Sequence, residues 1–412
     1  MTDPLIHTRK VTGFVRDPLP TTGALSLKSA NARADLEWLG WRNVESIPLM
    51  WALSGAGDPD VALNQLVRIY QTLESQSPQA REELDQRIRS DEAFRVRLFA
   101  LLGGSSAMGD HLVANTHLWE LLGEEAPTQA EMFTAMLESV GAAPADVVSV
   151  NDEGDSKADE KDQQVANTAT EDLTTPGTYR ATLTGVEAER ALRFTYRTLM
   201  MRLAALDLAG TYPNDARRKS QPRVEFTTVT RRLSDLADAA LTAALAVAVT
   251  GVYGQKPVDA RLSVMAMGKC GAQELNYISD VDVIFIAEPA HSRSTRLAAE
   301  FIRTGCSSFF EVDAALRPEG KSGALVRTLE SHIAYYKRWA ETWEFQALLK
   351  ARPMTGDMDL GQAYLDAIGP MVWTASQRES FVDDVQAMRR RVLENVPEEL
   401  RDRELKLGRG GL

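Results

Sequence analysis

The chain has 412 residues, 44% apolar and 25% charged, with a formal net charge of −12; it is too long for one ordinary core, too apolar for general disorder and too acidic to be a dedicated nucleic-acid binder, so phosphate chemistry belongs in a pocket. Two cysteines, Cys270 and Cys306, exclude a disulfide framework and are not spaced as a metal knuckle. The opening MTDPLIHTRK lacks the apolar region of a secretory signal, and a cytoplasmic protein is expected.

The first forty-odd residues mix Pro, Gly and Thr around a short helical stretch near Ala30 to Trp41 and read as an arm or partly ordered leader. From Asp58, the stretches DVALNQLVRIYQTL, REELDQRIRSDEAFRVRLFALLG and DHLVANTHLWELLG place apolar residues at helical spacing, which predicts an N-terminal helical region over 1–142, leader included. Between Ala143 and Gly177 there is no aromatic residue, and residues 151–172 hold eight acidic side chains against two lysines, so 143–177 is expected to be an acidic linker or disordered loop. GVEAERALRFTYRTLMMRLAALDLAG and VTRRLSDLADAALTAALAVAVTGVYG then predict two long helices, the second capped at Thr230 or Ser234. The Ala-rich run from Leu236 carries Asp238 near its start and reads as a buried helix, not a membrane span.

The period then changes. RLSVMAMG from Arg261 and VDVIFIAEP from Val281 are short, apolar and β-branched, RSTRLAAEFIRTG reads as a helix, and FFEVDAALRP gives a third strand. From His332, HIAYYKRWAETWEFQALLKARP and QRESFVDDVQAMRRRVLENV are helical again. The expected fold is α+β and mainly helical, with a small mixed β-sheet core in 178–331 between the N-terminal helical region and a C-terminal one at 332–412.

The stretch GKCGAQELNYISDVDVIF, residues 268–285, carries the chemistry. Strand alternation makes Asp280 and Asp282 project together while Val281, Val283 and Phe285 go to the opposite, buried side. Paired carboxylates repel unless a cation sits between them, and hard oxygen ligands select magnesium or manganese. Asp313 on the third strand is a third carboxylate able to complete a two-metal clamp for in-line displacement at phosphorus, with its neighbour Glu311 structural. Gly268 and Gly271 let backbone N–H groups approach a phosphate without Cβ obstruction, and Lys269 adds charge. Taken singly, Asp-x-Asp fits a solvated strand end and the glycines a tight turn; their combination favours chemistry. Trp339, Trp343 and Phe345 read as core, Lys350 and Arg352 as helix-end charges or phosphate contacts, and His111 and His117 as surface or packing residues.

The pattern apolar-Gly-x, about ten residues, Asp-apolar-Asp-apolar and a later carboxylate resembles the polymerase-beta-like nucleotidyltransferase superfamily. Within it, MGKCGAQELNYISDVDVIF and FFEVDAALRPEGKSGALV resemble the two core motifs of bacterial glutamine synthetase adenylyltransferases. GGSSAMGDHLVANTHLWELL, YYKRWAETWEFQALLKARP and LKLGRGGL resemble the same family in the same order, from about Trp38 to Leu412. The resemblance implies a nucleotidyltransferase domain at 178–331, with Asp280, Asp282 and Asp313 as ligands of two Mg2+ or Mn2+ ions. It further implies that Gly268, Lys269 and Ser279 border the nucleotide phosphates and that Arg317 and Lys321 are basic phosphate contacts. Two positions depart from the pattern: Lys269 stands where many relatives have Gly or Ser, and Ala315 where many have Arg.

Family members carry two such units in tandem, the first removing AMP from a tyrosine of glutamine synthetase and the second attaching it. The single unit here, behind a helical region and ending inside LKLGRGGL, is expected to be the adenylyl-removing half of a longer protein. The implied reaction is phosphorolysis, with phosphate attacking the adenylyl phosphorus and ADP released. Implied partners are glutamine synthetase, a PII-type signal protein, phosphate and ADP or ATP, with no nucleic acid and no membrane. The alternatives are a docking module for the PII-type protein and glutamine synthetase, or an ATP-using adenylyl-attaching unit with the same clamp.

Overall fold

The computed structural model describes residues 19–148, 169–215, 217, 221–394 and 396–400. The centre of the acidic segment and the terminal LKLGRGGL lie outside them. Two compact units divide the chain, one made of Met1–Glu125 with Ala204–Val224 and the other of Ala126–Leu203 with Glu225–Leu412.

The first unit is helical: α1 (Ala32–Trp38), α2 (Ile47–Leu53), α3 (Pro59–Gln76), α4 (Pro78–Ser90), α5 (Glu92–Gly104) and α6 (Ser106–Ala114). Asp58, Ser77, Asp91 and Ser105 each accept an N–H of the following helix's first turn, which starts α3, α4, α5 and α6 in close succession. The caps divide what the sequence reads as longer runs: REELDQRIRSDEAFRVRLFALLG breaks at Asp91, and DHLVANTHLWELLG passes at Asn115 into a 3-10 stretch, Thr116–Gly123. Trp41, Tyr70, Phe94 and Phe99 form the centre of this core. Part of the expected leader is packed: Leu25 and Leu27 are buried, and the Asp60 carboxylate accepts the N–H groups of Lys28 and Ser29.

The second unit begins with α7 (Gln129–Glu138), opened by a Thr128–Glu131 capping box. Strands β1 (Ala143–Pro144) and β2 (Tyr179–Arg180) pair antiparallel, and Val147 bridges Val258, so the edges of the acidic segment are tied down by backbone pairing and by burial of Ala145 and Val147. Of the long helix α8 (Gly185–Gly210), the residues to Leu203 belong to this unit and the rest to the first. Helix α9 (Phe226–Tyr253) starts one turn before the expected cap: Glu225 is the N-cap, while Thr230 and Ser234 are interior and turn their hydroxyls back to carbonyls of the preceding turn. Among the described residues α9 is the one helix long and apolar enough to cross a membrane, and 83% of its apolar window is buried inside the protein.

The remaining elements are β3 (Arg261–Ala266), α10 (Gly268–Gly271), β4 (Val281–Glu288), α11 (Ser292–Ser308), β5 (Val312–Asp313), β6 (Val326–Arg327), α12 (Leu329–Arg338), α13 (Thr342–Leu348), β7 (Arg352–Gly356), α14 (Met358–Ala375) and α15 (Phe381–Glu394). The sheet runs β5-β4-β3-β7 with β6 also on β4; β3 is antiparallel to β4 and β7, and β5 and β6 are parallel to β4. The fold is therefore α+β and mainly helical with a small mixed sheet. Ile284 and Ile286 of β4, with Met265 and Met267, pack into a core with residues of α12, α13 and α14, whereas Phe285 meets Phe301 of α11 on the other face.

Two expectations for the C-terminal part are corrected. The run ending in KARP is not one helix: it breaks into α12 and α13, and Arg352 opens strand β7, because pairing with β3 overrides local propensity. Trp339 is 73% exposed and not core, since it closes α12 beyond its packed turns, while Phe345 is buried. The third strand is short because Asp313 turns the chain at once, its Oδ1 accepting the N–H of Ala315 at 2.8 Å.

Candidate active site

Strand β4 starts at Val281, and its N-terminal end lies against β5 in parallel register, Val281 opposite Val312 and Asp282 opposite Asp313. Register partners on adjacent strands present their side chains to the same face, roughly 5 Å apart. Asp282 and Asp313 are thus neighbours on one edge of the sheet, and Asp280 stands exposed just before the strand.

The glycine turn closes this edge from the β3 side. Met267 donates its N–H to the Asp282 carbonyl at 2.8 Å, and the chain then enters α10 through Gly268 at φ +53°. A Cβ on Gly268 would lie 2.6 Å from Oδ2 of Asp282, so the turn sits directly against that carboxylate. Gly271 is demanded by a different neighbour: its Cβ would fall 1.9 Å from the carbonyl oxygen of Lys350. Lys269 extends from the turn and donates from Nζ to Ser279 Oγ at 3.3 Å, and Ser279 Oγ lies 3.5 Å from Asp280 Oδ1. Gly268, Lys269, Ser279, Asp280, Asp282 and Asp313 are in this way brought to one sheet edge.

The donor set suits a hard divalent cation: carboxylate oxygens on adjoining strands beside a turn with no side chain to obstruct approach. The three carboxylates are not gathered into a finished cage, since among the described residues no three such groups converge as a metal site. Like charges set side by side repel, and each settles on local donors, Ala315 N–H for Asp313 and the Ser279 hydroxyl for Asp280.

The other basic candidates are placed elsewhere. Arg317 turns inward and donates to the carbonyls of Ala314, Gly323 and Lys321 at 2.7, 3.1 and 2.9 Å, stapling its own loop. Lys321 is exposed on that loop. Lys350 pairs with Glu274 at 2.8 Å on the surface. His111 is buried and His117 exposed, and among the described residues neither belongs to a metal-binding cluster.

Sequence reasoning missed one buried pair. Arg352, from β7, makes a forked ion pair with Asp238 of α9 at 2.7 and 3.0 Å, and burial pushes the Asp238 carboxyl up to about 6 against the lowering pull of the guanidinium. The same guanidinium reaches the Cys270 carbonyl at 3.1 Å. Cys270 itself is buried, and burial drives its thiol further from ionisation. The available signal was Asp238 at the start of the Ala-rich apolar run of α9, an acid that calls for a buried cation without saying which one.

Comparison with known proteins adds a family. Residues 158–367 match the family described as glutamate-ammonia ligase adenylyltransferase. The chain is 94% identical over 412 residues to a Corynebacterium efficiens protein named bifunctional glutamine synthetase adenylyltransferase/adenylyl-removing enzyme, covering all of this chain and 39% of that protein. Proteins of the same name are 71% identical in Corynebacterium glutamicum, over 100% of this chain and 38% of theirs, and 54% identical in Nocardia farcinica, over 96% and 36%. The chain spans about two-fifths of the length of these relatives and aligns to their N-terminal part.

Proposed function

The chain belongs to the glutamate-ammonia ligase adenylyltransferase family, and from that premise we propose that its second unit removes AMP from an adenylylated tyrosine of glutamine synthetase by phosphorolysis. The observation that carries the reading is the register of Asp313 beside Asp282, across from a glycine turn that touches the same carboxylate. The direction rests on the order of the two units that the family resemblance implies, removing unit first, taken with the alignment of this chain to the N-terminal part of its relatives.

Asp280, Asp282 and Asp313 would hold one or two Mg2+ or Mn2+ ions. Bound there, such an ion neutralises charge on the reacting phosphoryl group and on the leaving phenolate. The glycine turn brings backbone N–H groups within reach of a phosphate, and Lys269, held toward Ser279, adds a positive charge beside it. An oxygen of inorganic phosphate forms the new bond to the adenylyl phosphorus, the bond to the tyrosine oxygen breaks, and the phenolate takes a proton, leaving ADP and free tyrosine. A phenol of pKa about 10 is a workable leaving group under those conditions, and no protein nucleophile is required. We assign the work to the cytoplasm, with glutamine synthetase as the protein substrate and a PII-type signal protein as regulator; Cys270 and Cys306, both free thiols, agree with a reducing compartment.

The test is to incubate the chain with adenylylated glutamine synthetase, magnesium and phosphate and to follow ADP. Phosphate-dependent release should fall on the order of 10²-fold, about 2.7 kcal/mol in the barrier, in Asp280→Asn and in Asp313→Asn. Release that is unchanged in both variants refutes the clamp, and ATP-dependent labelling of unmodified glutamine synthetase would establish the opposite direction.

A further inference from the structure

A helix of four residues cannot hold its own shape, so the turn α10 must be fixed by groups outside it. At its C-terminal end those groups come from one guanidinium. Arg352 donates from Nη2 to the carbonyl of Cys270 at 3.1 Å and from Nε toward that of Gly271 at 3.4 Å. The guanidinium is itself fixed, because Asp238 accepts from Nη1 and Nη2, with its side chain only 3% exposed. One turn earlier on α9, Ser234 Oγ accepts the N–H of Leu275 at 3.3 Å, so the same helix also anchors the far end of segment 270–275. The near end of the turn carries Gly268 against Asp282 and Lys269 toward Ser279.

A buried ion pair adds little net stability over apolar side chains of the same volume. What it supplies is direction, since the planar fork can donate only along fixed lines. A pair that joins helix α9, strand β7 and the glycine turn, 114 residues apart in sequence between its partners, is placed to set the turn's orientation.

We propose that Asp238 and Arg352 are a positioning pair that orients the glycine turn against Asp282. The pair does not touch the reacting atoms and acts through the turn; this rests on the reading of that sheet edge as the site of phosphoryl transfer.

Two variants of the full chain test it, the near-isosteric Asp238→Asn and the apolar pair Asp238→Leu/Arg352→Met. Hydrogen exchange is the first readout and needs no activity. Amides of Gln273, Glu274 and Leu275 should exchange at least about tenfold faster in the variants, while those of α9 from Ala240 to Val249 keep their protection. Turnover is the second. Phosphate-dependent ADP release should lose at least about tenfold in kcat, with the KM for adenylylated glutamine synthetase within about twofold, because a small misplacement of phosphate-binding groups costs rate more than docking. Unchanged exchange over 273–275 in a folded variant overturns the pair's hold on the turn, whatever the activity. Faster exchange with unchanged kcat overturns its link to the reaction. A parent chain that shows no phosphate-dependent release sinks the reading of the site instead, and the exchange comparison then decides the pair alone. Should the apolar pair fail to fold, Asp238→Asn carries both measurements.

Discussion

The two glycines of the turn sit in different surroundings, and their substitution should fail differently. In Gly268→Ala the new methyl meets a carboxylate oxygen at 2.6 Å and the backbone is held at φ +53°, so the side chain of Asp282 can swing aside but the strain of a left-handed residue remains. The expected cost is about 1–2 kcal/mol of stability, with the larger effect on turnover because Asp282 is displaced. In Gly271→Ala the methyl meets the backbone oxygens of Lys350 at 1.9 Å and Ala266 at 2.7 Å, neither of which has a rotamer to yield. That variant should lose several times more stability than Gly268→Ala by urea denaturation. Equal losses in the two would mean that the turn is looser than this geometry. Arg317 makes the converse point: a cation that follows the third carboxylate in sequence is occupied by three carbonyls of its own loop, a distinction no spacing argument contains.

At the scale of elements, α12 carries an acid-sensitive group. His332 is buried between the rings of Tyr336 and Tyr364, with Nε2 3.4 Å from the Phe285 carbonyl, and burial lowers its pKa to about 4. A depressed folded-state pKa means that the unfolded chain takes up the proton first. The stability it contributes is complete above about pH 6.5, the unfolded value, and is lost as pH falls through about 4. The full difference is on the order of 3 kcal/mol. Denaturation midpoints of the parent should therefore drop between pH 7 and 4.5 more steeply than those of His332→Gln, and parallel slopes would remove His332 as the cause. Helix α9 and strand β7 show how elements were read with unequal success. The apolar run of α9 is continuous and its helix was legible, although an isolated Thr or Ser gave the wrong start because its hydroxyl bonds equally well to the preceding turn. Strand β7 was not legible, for five residues beginning with Arg-Pro have no pattern of their own and become a strand only by pairing with β3.

For the whole molecule, each compact unit is assembled from two stretches of chain, so neither is a simple N- or C-terminal fragment. Ala205, Ala209 and Tyr212 are buried in the first unit, where a Cβ on Gly104 would meet Leu208 at 2.8 Å. A truncated chain starting at Ala126 keeps Ala204–Val224 but removes the rest of that unit. It should bind the dye ANS and scatter light more than the full chain, because the apolar side of that stretch becomes exposed. A truncated chain that stays monomeric and dye-free would show that 204–224 needs no cover from residues 1–125.

What the sequence determined alone is what has a local period: the alternation that buries Val281, Val283 and Phe285 on one side of β4, the long apolar helix α9, and the helical rhythm of both flanks. Side-chain direction follows from backbone repeat over a few residues, so a few residues suffice to read it. Only the tertiary structure decided that Asp313 stands in register beside Asp282, that Arg317 faces its own loop, and that Arg352 reaches Asp238 and the glycine turn together. Those outcomes depend on strand pairing and on contacts between residues far apart in the chain, where one register step or one rotamer changes the partner and no local pattern records the choice.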